Sequence, residues 1–156
     1  MYGILVMIAG AALRFWASGY IDKEGRLSIA GPYRFTRNPL YVGSHLIALG
    51  LAISQDSLMM LALYLLIFVP LYHWIVLKEE EVLKEKFGPL YKDFSLSVSR
   101  YVPWFFKGKK LYSLLGHPRI NQARFSLKKA RENRWLEGFY TVGGIIVFIY
   151  FVLYFR

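Results

Sequence analysis

A cationic, aromatic stretch runs directly into an apolar segment at residues 31–43. Its chemically active side chains are those of Tyr33, Arg34, Arg37, Asn38 and Tyr41. Asn38 and Pro39 predict a helix that begins at Pro39, because asparagine is a frequent N-cap residue and proline needs no N–H in the first turn. Free N–H groups at a helix N-terminus attract anions. The stretch therefore predicts a binding site for an anionic ligand group, or alternatively a membrane anchor in which the arginines hold lipid phosphates.

A second cluster, Glu79 to Glu81, follows an apolar run. Cations are expected beside an anionic membrane surface, so three acids at this place indicate a cationic partner. The alternative is a solvated helix face on which Glu80 and Lys84 form an i,i+4 pair. A short turn at residues 54–57, between two antiparallel helices, would bring Arg37 and Glu79 to the same side of the membrane.

The composition is that of an integral membrane protein. Of the 156 residues, 56% are hydrophobic and 18% are aromatic, and the mean hydropathy is +0.34. The formal charge of +10 predicts anionic membrane lipids as partners, and no nucleic-acid-binding motif is present in the sequence. Cysteine is absent, which excludes disulfides, thiolate metal sites and cysteine nucleophiles. The three histidines lack the spacing of metal ligands, so no metal site is expected.

Four apolar segments are expected to cross the membrane as helices, which predicts an all-α integral membrane protein with a cytosolic pocket. They are residues 2–20, 39–53, 58–77 and 138–155. The third is expected to continue as an exposed helix to Phe87, with Gly88 and Pro89 as its stop signal. Pro70 within it lacks an N–H and should free a backbone carbonyl one turn earlier.

Positive charge is distributed unevenly among the connections. Residues 21–37 carry four cations, residues 54–57 carry none and residues 78–134 carry fourteen. Because positive loops face the cytoplasm, we expect a multi-pass protein whose first and third connections are cytosolic. The predicted parts are a three-span core at 1–104, a basic, lipid-facing cytosolic arm at 105–137 and a C-terminal transmembrane helix at 138–156.

Two histidines lie in the predicted spans. His73 is flanked by Tyr72 and Trp74 near the cytosolic end of the third span, where it is either an interfacial anchor or a pocket residue. His45 follows Tyr41 by one turn, and either lines the same pocket or forms an interhelical hydrogen bond.

Three patterns occur in the order that one family of membrane enzymes shows. They read Leu27-Ser28-Ile29-Ala30-Gly31-Pro32-Tyr33, then Arg37-Asn38-Pro39-Leu40-Tyr41-Val42-Gly43, then Glu79-Glu80-Glu81-Val82-Leu83-Lys84-Glu85-Lys86-Phe87-Gly88-Pro89-Leu90-Tyr91. In order, spacing and membrane context they resemble the membrane methyltransferases that include isoprenylcysteine carboxyl methyltransferase and the phospholipid-methyltransferase-like proteins. The resemblance covers about residues 27–104, roughly half of the chain.

This resemblance implies a pocket for S-adenosyl-L-methionine at the cytosolic membrane surface. The residues that it assigns to the cofactor are Arg26, Leu27, Ser28, Tyr33, Asn38, Pro39, Leu40, Tyr41 and Glu79. Two residues are expected to act in catalysis. Arg37 would grip the methionine carboxylate, and Glu80 is the nearest candidate to receive a proton from an amine or hydroxyl acceptor.

The implied function is methyl transfer to a lipid-like or isoprenoid acceptor that carries a carboxylate, an amine or a hydroxyl. At two positions the chain departs from the family pattern: Asn38 replaces the usual histidine before proline, and Ile75 replaces an arginine that contacts substrate. Two other functions stay open. One is an NADPH-dependent membrane reductase related to sterol reductases, and the other is a non-catalytic membrane protein that binds lipid.

Overall fold

The computed structural model describes residues 2–22, 25–102, 114, 117–121, 124–133 and 140. These residues are mostly helical. The elements are α1 (Tyr2–Ser18), β1 (Leu27–Ser28), a 3-10 turn (Gly31–Arg34), α2 (Pro39–Ser54), α3 (Leu58–Leu63), a π-helical turn (Tyr64–Phe68), α4 (Val69–Phe87), α5 (Pro89–Ser97), β2 (Ile120–Asn121) and α6 (Leu127–Glu132). The predicted fourth span and most of the predicted basic arm lie outside the described residues.

Helices α1 and α2 form a tightly packed antiparallel hairpin. Glycines let the two backbones approach: a Cβ atom at Gly10 would lie 2.6 Å from the carbonyl oxygen of Gly43, and one at Gly50 would lie 2.5 Å from that of Gly3. Inside a membrane, water does not drive helices together, and small residues at the interface allow this close packing instead. The guanidinium of Arg14 crosses the hairpin and donates hydrogen bonds to the Leu40 carbonyl and the Ser44 hydroxyl.

The long helix Leu58–Phe87 is the described helix that is long and apolar enough to cross a membrane. Helices α1 and α2, with 17 and 16 residues, are shorter apolar helices. The long helix contains the π-helical turn, which ends two residues before Pro70. A proline has no N–H and disrupts the regular hydrogen bonding of a helix at such a place. We call residues 58–77 the apolar part of this helix and residues 78–87 its polar extension.

Gly88 ends the long helix, with a φ of 54° that suits glycine, and its N–H donates to the Lys84 carbonyl. Pro89, however, does not end the helical structure. It is the first residue of α5, because a proline that stops one helix can equally begin the next. Tyr91 and Phe94 of α5 are fully buried and form a core cluster with Leu27, Ile29, Phe87, Val98, Leu114 and Ile120.

The chain is not entirely helical, since β1 and β2 pair in parallel over two residues each. This pairing and several side-chain contacts connect the described part of the predicted basic arm to the core. Lys129 lies 3.5 Å from the Asp22 carboxylate, and the Asn133 side chain donates to the carbonyls of Ser18 and Ile21. Residues 117–121 and 124–133 therefore pack against the end of α1 and the loop that follows it.

Candidate active site

A cavity of about 180 Å³ lies where the loop after α1, the start of α2, the polar extension and α5 meet. Its lining combines three tyrosines, several charged residues and apolar side chains. The lining residues are Ile21, Asp22, Gly25, Arg26, Leu27, Ser28, Tyr33, Arg37, Asn38, Pro39, Leu40, Tyr41, Glu79, Leu83, Lys86, Phe87, Tyr91 and Phe94.

The structure brings the predicted site residues together. The nine residues assigned to the cofactor all line this cavity, as does Arg37. They come from three separate stretches of sequence. Because the chain turns back after α2, Glu79 on the long helix lies near the start of α2. Glu79 is exposed, whereas Glu80 is buried, with 1% of its surface exposed.

Glu80 is the centre of a buried charge network. Its carboxylate accepts hydrogen bonds from Nε and Nη2 of Arg100, the shortest of which is 2.9 Å, and one of 3.1 Å from the side-chain amide of Asn38. Nη1 of Arg37 lies 3.5 Å from the same carboxylate. Buried carboxylates are stable in proteins when cations and donors surround them in this way.

The contacts of Glu80 and Arg100 determine the protonation of both side chains. These contacts lie outside the apolar part of the long helix. Burial would raise the pKa of Glu80, but hydrogen bonds from Arg100 and Asn38 and the charge of Arg37 bring that pKa below its ordinary value. The hydrogen bond to Glu80 raises the pKa of Arg100. Both groups are therefore charged at neutral pH.

Hydrogen bonds to backbone carbonyls of the segment after α5 connect that segment to the start of α2. The N–H of Arg37 donates to the Ser99 carbonyl at 2.9 Å, and the Thr36 hydroxyl donates to the Arg100 carbonyl at 2.8 Å. Asn38 occupies the N-cap position of α2, but its side chain does not cap the helix and donates instead to Glu80 and to the Arg100 carbonyl. The Asn38 side chain thus positions Glu80 and the Arg100 backbone and does not satisfy helix N–H groups.

Two tyrosines of the lining, Tyr33 and Tyr41, lie close to Glu79. Burial and the nearby charge of Glu79 raise the pKa of Tyr33, so its hydroxyl stays protonated. The Tyr41 hydroxyl also interacts with the Glu79 carboxylate. This wall offers a negative charge and aromatic faces, a combination that suits a cationic ligand group.

Two buried polar atoms bear on whether the cavity suits a cofactor that carries both a carboxylate and cationic groups. Nε of Arg37 and the hydroxyl of Tyr91 make no hydrogen bond of normal geometry among the described residues, although the two side chains interact with each other and both residues line the cavity. Burial raises the pKa of Tyr91 to about 12, which keeps this hydroxyl a donor. Unpaired buried donors are costly, so they indicate a missing acceptor. The lining thus fits S-adenosyl-L-methionine, with donors for its carboxylate at Arg37 and acceptors and aromatic rings for its cationic parts.

Sequence reasoning missed several residues of the site. Phe87 and Tyr91 were part of the quoted pattern Phe-Gly-x-x-Tyr, so that pattern could have assigned them to the cavity. Asp22, Lys86 and Phe94 carried no comparable signal. The pairing of Arg100 with Glu80 could not be found by spacing, because the two residues meet only through the folding of α5 and the segment after it. In the part of the chain that the structure describes, no group of three or more His, Cys, Asp or Glu is arranged to hold a metal ion.

The fold and the cavity define a helical membrane protein with a polar binding site at the end of its long apolar helix. The chain belongs to the phospholipid methyltransferase family, whose sequence model matches residues 3–89. This is a membrane-associated family of methyltransferases.

Two curated relatives are similar over most of the chain. The nickel-cobalt-cadmium resistance protein NccN of Alcaligenes xylosoxydans xylosoxydans is 30% identical over 114 residues, which are 72% of this chain and 50% of the relative. The cobalt-zinc-cadmium resistance protein CzcN of Cupriavidus metallidurans is 32% identical over 114 residues, 72% of this chain and 49% of the relative. The aligned region thus spans about half the length of these relatives. No solved structure matches the chain.

Proposed function

We propose that this protein transfers a methyl group from S-adenosyl-L-methionine to a lipid-like acceptor, and that the cavity at Arg37 and Glu79 binds the cofactor. The observation that carries this proposal is the convergence of the nine residues assigned to the cofactor and of Arg37 on one cavity that holds two buried donors. When bound, the cofactor supplies an electrophilic methyl group on a sulfonium.

The proposed roles follow from charge and position. Arg37 and Tyr91 bind the carboxylate of the methionine part, because both place buried donors at the cavity. Glu79 accepts from the amino group or from ribose hydroxyls, and Tyr33 and Tyr41 place aromatic faces near the positive sulfur. Arg26, Leu27 and Ser28 form the wall from the loop, with Asn38, Pro39 and Leu40 at the start of α2.

Glu80 receives a different role from the one that the sequence suggested. Its burial and its bonds to Arg100 and Asn38 support a positioning role, in which it holds Arg37 at the cavity, and not a role as proton acceptor. A carboxylate kept ionised by two cations is a weak base.

The proposal includes the topology expected from charge. The cavity and the polar extension face the cytosol, and the enzyme is a multi-pass protein whose acceptor reaches the site from the bilayer. In-line positioning of the acceptor, the methyl group and the sulfur would supply much of the rate acceleration.

Calorimetry of the detergent-solubilised protein with S-adenosylmethionine, S-adenosylhomocysteine and NADPH tests the proposal. Binding of the first two ligands, without NADPH binding, is expected. Binding of NADPH alone would favour the reductase function instead. Binding of none of the three would favour a non-catalytic lipid-binding protein.

A further inference from the structure

A second cavity, of about 370 Å³, is formed by α2, the long helix and the segment after α5. It is lined by three valines and by His45, Tyr64, His73 and Tyr101. None of these lining residues is an acid, a lysine or an arginine. The cavity therefore offers uncharged hydrogen-bonding groups in an apolar wall.

This cavity adjoins the first one at α2. Tyr41 lines the first cavity, and His45, one turn later on the same helix, lines the second. The ring of Tyr72 packs against both residues, with its centroid 6.0 Å from that of Tyr41 and 5.7 Å from that of His45. The two cavities are therefore neighbours along α2.

The polar groups of the second cavity are paired with each other. Nδ1 of His73 lies 2.9 Å from the Tyr101 hydroxyl, and Nδ1 of His45 lies 3.4 Å from the Tyr64 hydroxyl. Tyr64 belongs to the π-helical turn, a local distortion that often marks functional sites. The Tyr101 ring also packs against His45, so the two pairs belong to one cluster.

Resting on the proposed function, we propose that the second cavity binds the methyl acceptor, and that this acceptor is an uncharged, phenol-like hydroxyl compound with an apolar body. A carboxylate would find no cation among the lining residues, and an alkylammonium would find no carboxylate. An unpaired charge in an apolar site is costly. A planar ring, by contrast, packs well among the aromatic side chains around His45.

His73 is the group that takes the proton. When its Nδ1–H donates to the Tyr101 oxygen, its Nε2 carries the lone pair that serves as the base. The acceptor oxygen gives an electron pair to the methyl carbon, and the carbon–sulfur bond breaks with its pair going to sulfur. The acceptor proton passes to Nε2 of His73 and then to water. The products are the methyl ether, S-adenosylhomocysteine and one proton, so atoms and charge balance.

Binding of matched probes tests the acceptor class without turnover. Full-length protein in detergent, saturated with S-adenosylhomocysteine, is titrated with 4-decylphenol, decylamine and decanoate. The phenol is expected to bind at least about tenfold more tightly than either charged probe. His73→Gln should weaken phenol binding, whereas His117→Gln, the same change outside both cavities, should not. Equal affinities, or tighter binding of a charged probe, would overturn the proposal.

Transfer of a labelled methyl group tests the step itself. Label from S-adenosylmethionine is expected in the ether of 4-decylphenol, with a roughly hundredfold loss of kcat in His73→Gln, typical of a lost general base. Tyr101→Phe should also lower kcat, and both variants should keep the affinity for S-adenosylmethionine, which shows that they fold. Label on the amine or the carboxylate would overturn the acceptor assignment but not the proposed function. Label on no probe, although the cofactor binds, would have the same meaning. Failure of cofactor binding would instead overturn the function on which it rests.

Discussion

The buried carboxylate of Glu80 forms an ion pair with Arg100, whose side chain is 32% exposed, and Nη2 of the arginine lies 2.9 Å from a carboxylate oxygen. The pair joins the polar extension of the long helix to the segment after α5. Because Arg37 and Asn38 contact the same carboxylate, this pair also sets the position of the start of α2. Removing one member leaves charges and donors without partners.

Glu80→Gln is therefore expected to destabilise the protein by about 3 kcal/mol, the range for breaking a buried ion pair. Thermal unfolding in detergent measures this loss. Glu81→Gln is the matched control, since Glu81 is exposed and pairs only at the surface with Lys78, which contributes roughly 0–1 kcal/mol. Similar melting temperatures for both variants would mean that the network contributes nothing to stability.

The same network predicts a pH dependence. The pKa of Glu80 is lower in the folded protein than its ordinary value, so its stabilising contribution is present above the unfolded pKa of about 4.3. That contribution is lost as pH falls through the folded pKa. Unfolding measured between neutral and acidic pH should thus show a loss of stability that is reduced in Glu80→Gln. An identical acid profile for the variant would show that other carboxylates control acid unfolding.

Glu79→Gln is expected to weaken S-adenosylmethionine binding by about 1.5–3 kcal/mol, the cost of losing a hydrogen bond to a charged group. Calorimetry gives the dissociation constants. Glu85→Gln on the same helix serves as the control, because Glu85 is also exposed and lies outside the cavity lining. Equal losses in both variants would show that the two acids act only through their long-range electrostatic field and not through a specific hydrogen bond.

Cysteine labelling tests the orientation of the membrane helices, and it is clean because the chain has no native cysteine. Ser57→Cys should react with an impermeant reagent in intact cells, and Lys109→Cys should not, since cation-rich connections face the cytoplasm. The reverse labelling pattern would place the proposed cofactor cavity on the other side of the membrane.

Much of the helical structure could be predicted from local signals. Pro39 begins α2, Gly88 ends the long helix and Pro70 follows a distorted turn, because each residue restricts the backbone regardless of tertiary context. Helix α5 was not predicted, since Pro89 has the same local signal whether it ends a helix or begins one.

The candidate site was predictable where a pattern of neighbouring residues marks it, and not where distant segments meet. Asn38 illustrates the limit: its N-cap position was correct, but its side chain bonds to Glu80, 42 residues away. The partnership of Glu80 with Arg100 and that of Asp22 with Lys129 depend on chain reversals that local sequence does not encode. The strand pairing of Leu27 with Ile120 is of the same kind.

Arg37 offers the sharpest test of the proposed cofactor cavity, because a carboxylate-binding arginine and a lipid-anchoring arginine respond differently to lysine. Lysine keeps the charge but lacks the planar guanidinium group, which forms two parallel hydrogen bonds with a carboxylate. The Arg37 side chain is only 11% exposed and its Nε lacks a partner, whereas Arg34 is exposed. Arg37→Lys is therefore expected to weaken S-adenosylmethionine binding by tenfold or more, about 1.4 kcal/mol, and Arg34→Lys should leave it unchanged.

Because Arg37 also contacts Glu80, stability and affinity have to be measured on the same samples. Melting temperatures in detergent report the structural cost, and calorimetry below the melting transition reports the affinity of the folded protein. If Arg37 only anchored the loop to headgroups, both lysine variants would keep their affinity, since membrane attraction depends on charge at about 1 kcal/mol per cation. Small and equal losses in the two variants would remove Arg37 from the cofactor site and leave carboxylate binding to Tyr91.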